Sequence, residues 1–271
     1  MPLVEVNGAH VHIQDSGSPE SHPEAPAVVF GHGLLFSGRM FDAQVERLSS
    51  RYRCVTIDWR GQGKSSAPAG DYDMETLADD AAAIVEGLGA GPVHYVGLSM
   101  GGFVGMRLAA RRPELIRSLT LLDTSAGPED PEKISKYRLL AKVYGLLGLG
   151  PVRSQVEPIM FGPTFLADPA STVHRDAWMA EVRAVKRSGM KKAIYGVTDR
   201  LPILPELGAI TAPTLVVVGA DDVATPVAKA EVIAGAIAGS RLEIVPDSGH
   251  SSTIEQPKAL SDLIEAFVDQ H

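Results

Sequence analysis

The fold of this chain is decided by the stretch Val93-His94-Tyr95-Val96-Gly97-Leu98-Ser99-Met100-Gly101-Gly102-Phe103. Its first residues are mostly β-branched or aromatic, which is typical of a strand, and an apolar pattern of helical period follows Phe103. Gly97 and Gly101 bound a tight turn, and a side chain at either position would collide with the neighbouring chain. The stretch therefore predicts a strand, a sharp turn and a helix, with the Ser99 hydroxyl held clear of the sheet at the apex of the turn.

Composition limits the classes of function. The 271 residues are 45% hydrophobic and 21% charged, enough for one large core. A net charge of −8 with scattered Lys and Arg argues against nucleic acid or an anionic membrane as a partner. The start of the chain lacks the pattern of a secretory signal, and no apolar run is long enough to span a bilayer. We therefore expect a cytoplasmic protein with neither nucleic-acid nor membrane partners, and we expect the single cysteine, Cys54, to be a buried thiol.

Strand and helix patterns alternate along most of the chain. Besides the strand that leads into Ser99, apolar or alternating runs predict strands at residues 3–6, 10–14, 27–30, 53–58, 119–123, 215–218 and 241–245. Helices are predicted at residues 40–49, 74–88, 227–238 and 257–268, and directly after Ser99. This alternation predicts an α/β fold, a mostly parallel eight-stranded sheet with helices on both faces.

About 90 residues separate Asp123 from the next clear strand at Leu215, far more than the roughly 2 to 6 of an ordinary connection. We expect an inserted helical lid at residues 126–210, between a first core part at 1–125 and a second at 211–271. Helices are predicted within it at 131–147, 152–160, 171–188 and 191–198. We expect most of its large apolar side chains, such as Trp178, to pack within the lid rather than to line a pocket.

Two sequence features resemble binding motifs, but we expect neither of them to bind a ligand. His10 and His12 alternate on one face of a strand, but no third ligand is near in sequence, so we expect solvated side chains and no metal site. The loop 58–65 ends in Gly-Lys-Ser like a phosphate-binding loop, yet Asp58 stands where that motif requires its first glycine. No nucleotide or other cofactor is therefore expected.

A serine hydroxyl needs a base to become a nucleophile at neutral pH, usually a histidine that a carboxylate orients. The chain supplies Ser99, then an acid in the turn Asp221-Asp222, then His250, each after a strand. Ligand sites of such sheets lie beyond the carboxyl ends of the strands, where these residues can meet. The backbone N–H groups of Leu34 and Met100 are the predicted donors to the oxyanion of a tetrahedral intermediate.

These motifs together resemble the α/β-hydrolase superfamily over essentially the whole chain. They are His32-Gly33-Leu34, the Asp58-x-Arg60-Gly61-x-Gly63-x-Ser65 loop, the turn at Ser99, Gly219-x-x-Asp222-x-x-x-Pro226 and Gly249-His250. The resemblance implies a triad of Ser99, Asp222 and His250. It places the acid on Asp222 rather than Asp221 and leaves Asp123 as an alternative, because some members carry the acid after the preceding strand.

Within the superfamily, residues 97–105 and 109–113 are most similar to 3-oxoadipate enol-lactonases and small carboxylesterases. Ser99 stands where haloalkane dehalogenases and epoxide hydrolases have aspartate, which excludes both. The resemblance implies a serine hydrolase of small carboxylic esters or lactones that works through an acyl-enzyme on Ser99, without cofactor or metal. Two alternatives stay open: a perhydrolase or carbon–carbon bond hydrolase on the same triad, and a slow-turnover ligand receptor of this fold.

Overall fold

The computed structural model describes residues 3–271 and contains one mostly parallel sheet of eight strands. The strands are β1 (Leu3–Val6), β2 (Ala9–Asp15), β3 (Ala27–Gly31), β4 (Arg53–Ile57), β5 (Val93–Leu98), β6 (Ile116–Leu122), β7 (Thr214–Gly219) and β8 (Arg241–Val245). Their order across the sheet is β1-β2-β4-β3-β5-β6-β7-β8. The β1–β2 and β2–β4 pairs are antiparallel, and the other neighbours are parallel. The predicted α/β sheet is therefore confirmed.

Residues 3–271 form eleven α-helices. They are α1 (Asp42–Leu48), α2 (Met74–Leu88), α3 (Met100–Arg111), α4 (Pro131–Leu147), α5 (Arg153–Met160), α6 (Pro163–Ala167), α7 (Thr172–Ala184), α8 (Arg187–Thr198), α9 (Val227–Ala236), α10 (Ser252–Glu255) and α11 (Pro257–Val268). No helix among residues 3–271 has the length and apolar character needed to cross a membrane.

Two hydrophobic clusters hold the layers together, one on each face. In β3, Val29 belongs to the cluster under α2, α3 and α9, whereas Val28 and Phe30 belong to the cluster under α1 and α11. Successive side chains of a strand point to opposite faces, so a fully apolar strand feeds both cores. The central strands β3, β5, β6 and β7 are thereby buried on both sides, and their carboxyl ends form a rigid platform.

All the helices from α4 to α8 lie in sequence between β6 and β7; we call this part of the chain, residues 131–198, the helical segment. The two helices predicted at 171–188 and 191–198 are present, but the break between them comes four residues earlier, because α7 ends at Ala184 and α8 begins at Arg187. The backbone of Gly189, in the first turn of α8, packs against Gly61, and a Cβ at Gly189 would lie 2.9 Å from the Gly61 Cα. This contact joins the first turn of α8 to the loop that follows β4.

Burial decides the character of Cys54 and His12. Cys54 is buried, as predicted, and burial raises the pKa of its thiol to about 12. The prediction of a solvated His12 is wrong: its ring is buried, with Nδ1 3.0 Å from Asp58 Oδ2. The reason is the pairing of β2 with β4, which places His12 beside the loop that begins at Asp58.

Candidate active site

The turn between β5 and α3 holds Ser99 in an unusual backbone conformation, with φ 51° and ψ −110°. Positive φ is strained for a residue with a side chain, and the packing around the turn maintains it. A Cβ at Gly101 would overlap the carbonyl of Gly31, and one at Gly97 would overlap the carbonyl of Gly101. Gly101 therefore lets α3 approach β3, and Gly97 lets the start of α3 lie close against β5, which together hold Ser99 at the strand end.

The structure brings Ser99, His250 and Asp222 into one chain of hydrogen bonds. Ser99 Oγ lies 2.9 Å from His250 Nε2, and His250 Nδ1 lies 2.9 Å from Asp222 Oδ2. All three residues are buried. In the tautomer that carries its proton on Nδ1, His250 donates to the carboxylate and Nε2 accepts from the Ser99 hydroxyl.

The turn that carries Asp222 stabilises its carboxylate as an anion. Its Oδ1 accepts from the backbone N–H groups of Ala224 and Thr225, and its Oδ2 accepts from the Thr225 hydroxyl at 2.7 Å. Burial alone would raise the pKa of Asp222, but the charge of His250 and these hydrogen bonds lower it below the usual value. Thr225 is a site residue that sequence reasoning missed, although an Asp-x-x-Thr spacing in a turn is a recognisable signal for such bonds.

The pairing with Asp222 shifts the pKa of His250 in the opposite direction. Burial alone would lower its pKa, but the charge and hydrogen bond of Asp222 raise the pKa of His250 above the usual value. Asp123 and Glu255 add to this effect as further negative neighbours. The imidazole is thus more basic than a free histidine.

The other two candidate acids, Asp221 and Asp123, make no hydrogen bond to His250. Asp221 is only partly buried and has no hydrogen bond to His250. Asp123 is fully buried after β6, where it accepts from the Gly219 N–H and the Ser252 hydroxyl. Burial and the nearby Asp222 raise the pKa of Asp123 well above the usual value. The geometry therefore places Asp222 next to the histidine, whereas Asp123 lies at the end of β6 with donors of its own.

The predicted oxyanion donors, Leu34 and Met100, are free to donate. Within residues 3–271, the backbone N–H of neither residue has a hydrogen-bond acceptor. The loop that carries Leu34 lies beside Ser99, since a Cβ at Gly33 would be 3.5 Å from Ser99 Cβ. Met100 begins α3, where the N–H groups and the helix dipole favour negative charge.

Leu35 fixes the conformation of the loop that carries Leu34. This role of Leu35 is one that sequence reasoning missed. Its φ is 69°, another strained value for a residue with a side chain. The Leu35 N–H donates to Gln62 Oε1 at 3.0 Å, and the Leu35 carbonyl accepts from Trp178 Nε1 at 2.9 Å. With the Leu35 peptide groups occupied, the Leu34 N–H is the one that remains unpaired.

A cavity of about 120 Å³ opens beside Ser99 and His250. Its walls come from the strand-end loops and from the helical segment, and most of the lining side chains are aliphatic or aromatic, among them Phe103, Tyr144, Val156, Met160 and Ile194. Trp178 packs in the apolar core beneath rather than in the lining, whereas Tyr144 does line the cavity. The space is suited to an apolar group of modest size.

The remaining histidines near the motifs have structural surroundings. His32 Nε2 accepts from the Trp59 N–H at 3.0 Å, and its Nδ1 lies 2.7 Å from the Gly33 carbonyl, so it shapes the loop of Leu34. Burial lowers the pKa of His94 to about 4 in the core. Across the part of the chain that the structure describes, no group of three or more His, Cys, Asp or Glu side chains is placed to hold a metal ion.

Known proteins share this architecture over nearly the whole chain. The alpha/beta hydrolase fold family matches residues 26–257. The enol-lactonase from Burkholderia xenovorans LB400 superposes with a TM-score of 0.90 at 29% identity, covering 99% of this chain and 100% of that one. A thermophilic esterase from Thermogutta terrifontis superposes with a TM-score of 0.87 at 27% identity, covering 99% and 96%. In sequence, 3-oxoadipate enol-lactonase 2 from Acinetobacter baylyi is 28% identical over 246 residues, 90% of this chain and 89% of that protein.

The chain therefore belongs to the alpha/beta hydrolase fold family, and it is a hydrolase. The expected resemblance to 3-oxoadipate enol-lactonases is confirmed by both the sequence and the structural comparison.

Proposed function

We propose that the protein is a serine hydrolase that cleaves small carboxylic esters or lactones through an acyl-enzyme on Ser99. The observation that carries this proposal is the chain of hydrogen bonds from Ser99 Oγ through His250 to Asp222, at the mouth of an apolar cavity. The similarity to enol-lactonases and to an esterase supports the choice of ester and lactone carbonyls.

Each group has one role in the proposed reaction. His250 Nε2 takes the Ser99 proton as Oγ attacks the carbonyl carbon, and Asp222 stabilises the imidazolium that forms. The N–H groups of Leu34 and Met100 hold the oxyanion, at about 3 kcal/mol for each donor. His250 then gives its proton to the leaving oxygen, which departs as an alcohol from an ester or stays tethered to the acyl group of a lactone. Water, activated by the same histidine, releases the acid and restores Ser99.

The helical segment acts in this proposal as the lid expected between residues 126 and 210. Tyr144 of α4, Val156 of α5 and Ile194 of α8 line the same cavity as Ser99, so these helices set the size of the acyl or lactone group that fits.

The test compares the wild type with Ser99→Ala on p-nitrophenyl esters of graded acyl length and on a panel of lactones. We expect the substitution to lower kcat by about 10⁴-fold or more, while circular dichroism and the melting temperature stay close to wild type. The wild type should show a burst of p-nitrophenol equal to the enzyme concentration where deacylation is slow. Full activity of Ser99→Ala would overturn the proposal.

A further inference from the structure

The cavity that contains Ser99 also contains a buried ion pair. Arg200 Nη1 lies 2.9 Å from Glu129 Oε2, with the two side chains 2% and 9% exposed. Both residues line the cavity, and neither belongs to the hydrogen-bonded chain of Ser99. Buried ion pairs add little stability compared with apolar packing, so a pair in the wall of an otherwise apolar cavity points to a role in ligand choice.

Arg200 is fixed in place by several partners. Its guanidinium donates to the carbonyls of Gly127 at 3.1 Å and Val197 at 2.9 Å, and it stacks 4.4 Å from the ring centroid of Phe103. Phe103 follows Ser99 by about one turn of α3 and lines the same cavity. The cation is therefore held rigidly in the wall of the cavity that the nucleophile faces. Its Nη2 makes no hydrogen bond to any of residues 3–271.

Glu129 cancels the charge of this cation. Its other oxygen, Oε1, accepts from the Asp130 N–H at 3.0 Å, which holds the carboxylate against Arg200. The nearby Tyr137 also lines the cavity, and burial together with the charges of Glu129 and Asp130 raises the pKa of Tyr137 to about 12, so its hydroxyl stays neutral. This part of the cavity wall thus offers polar groups but no net charge.

A substrate carboxylate would meet two penalties in this cavity. It would lose its hydration beside a cation whose charge Glu129 already neutralises, and it would be repelled by Glu129 as a like charge. An uncharged acyl group suffers neither penalty and gains apolar contacts with the wall.

We propose that Glu129, by neutralising Arg200, makes this hydrolase select esters and lactones whose acyl part is uncharged and exclude those whose acyl part carries a carboxylate. Glu129 is then a specificity-determining residue, and its removal converts the cavity into one that accepts an anion. This inference rests on the proposed ester and lactone hydrolysis at Ser99.

The first test uses the wild type and acyl groups of equal length. The p-nitrophenyl ester of pentanoic acid should exceed the mono-p-nitrophenyl ester of glutaric acid in kcat/KM by about tenfold or more. The corresponding ester of glutaric acid monoamide separates charge from polarity and should fall closer to the pentanoate. Equal rates for the anionic and neutral esters, or faster hydrolysis of the anionic one, overturn the proposal, and this arm needs no variant to fold.

The second test uses Glu129→Gln, which keeps an oxygen for Arg200 but removes the negative charge. The ratio of kcat/KM for the anionic ester to that for the pentanoate should rise by about tenfold. Glu132→Gln is the matched control, because Glu132 is an exposed acid of α4 and its loss changes the net charge equally; it should leave the ratio unchanged. Adding Arg200→Met to Glu129→Gln should abolish the gain.

Different results would overturn the role of Glu129 and the proposed hydrolysis at Ser99. An unchanged ratio in Glu129→Gln, or an equal rise in Glu132→Gln, overturns the role of Glu129 while ester hydrolysis through Ser99 stands. Hydrolysis of all three esters at the same rate by wild type and Ser99→Ala overturns the proposed function itself.

Discussion

Trp178 of α7 donates a hydrogen bond from Nε1 to the carbonyl oxygen of Leu35, at 2.9 Å, across 143 positions of sequence. Leu35 follows Leu34, whose N–H is a proposed oxyanion donor, and its positive φ needs support from its surroundings. The helical segment therefore contacts, through Trp178, the backbone of the loop that carries this proposed donor.

Replacement of Trp178 by Phe keeps an aromatic ring against Phe36 and Phe161 but removes the donor. We expect kcat to fall about tenfold with KM changed less than about twofold, because a misplaced oxyanion donor weakens binding of the transition state rather than of the substrate. Steady-state kinetics on one ester measures both constants. An unchanged kcat, or a loss that appears only in KM, would contradict a positioning role for Trp178.

Asp222 and Asp123 give a matched pair for assigning the acid. Asp222→Asn should lower kcat by about 10³ to 10⁴-fold, because the amide cannot hold the imidazole in the required tautomer or stabilise its charge. Asp123→Asn should retain activity within about tenfold, since that carboxyl has no hydrogen bond to His250. The reverse ranking of the two variants would move the acid to the end of β6.

The pH dependence of kcat/KM follows from His250. Only the neutral imidazole accepts the Ser99 proton, and the pKa of His250 is raised, so activity should fall on acidification with a midpoint above the ordinary value of 6.5. In the residual activity of Asp222→Asn the midpoint should move to lower pH, because the carboxylate that raises this pKa is gone. A wild-type midpoint below 6.5 would show that another group controls the acid limb.

Asp123 also predicts a pH dependence of stability. Its pKa is raised in the folded state, so its contribution to stability is present below the ordinary value of 3.8 and is lost as the pH rises through the folded pKa. Asp123→Asn preserves an acceptor for Gly219 and a partner for Ser252 without the titration. In urea unfolding, we expect the stability of this variant relative to wild type to increase from pH 4 to pH 8; a constant difference would mean that the folded pKa is not raised.

The energetic importance of the tight turn is tested by comparing Gly101→Ala with Gly87→Ala, each of which adds one methyl group. Gly101→Ala places a Cβ on the Gly31 carbonyl and should destabilise the protein by about 3 kcal/mol or more. Gly87→Ala lies on the exposed side of α2 with nothing within 4 Å, and it should stabilise by about 0.5 to 1 kcal/mol. Denaturant unfolding of both variants measures the contrast, and equal effects would show that the close approach at Gly101 carries no energetic weight.

Local patterns were enough to predict the sheet and the turn at Ser99, because strand and helix periodicity and turn glycines act within a few residues. The convergence of Ser99, His250 and an acid followed from the shared edge of parallel strands. Sequence order alone did not separate Asp222 from Asp221, since a one-residue step in a turn decides which carboxylate faces the histidine.

The contacts that sequence reasoning missed join distant segments. Two such contacts are the hydrogen bond from Trp178 to Leu35 and the ion pair of Glu129 with Arg200. No periodic or local sequence pattern predicts them, because each depends on how the helical segment packs on the rest of the chain. A break between the last two helices of the segment is predicted at residues 189–190, and the structure places it at Val185 and Lys186, four residues earlier.

The strained backbone of Ser99 has a consequence for directed evolution of this enzyme. Glycine at this position would relax the positive φ at no steric cost, so the substitution is expected to raise the melting temperature while removing the proposed nucleophile. A library screened for heat resistance alone would therefore enrich inactive variants at this one codon, and any such campaign has to select for turnover in the same round.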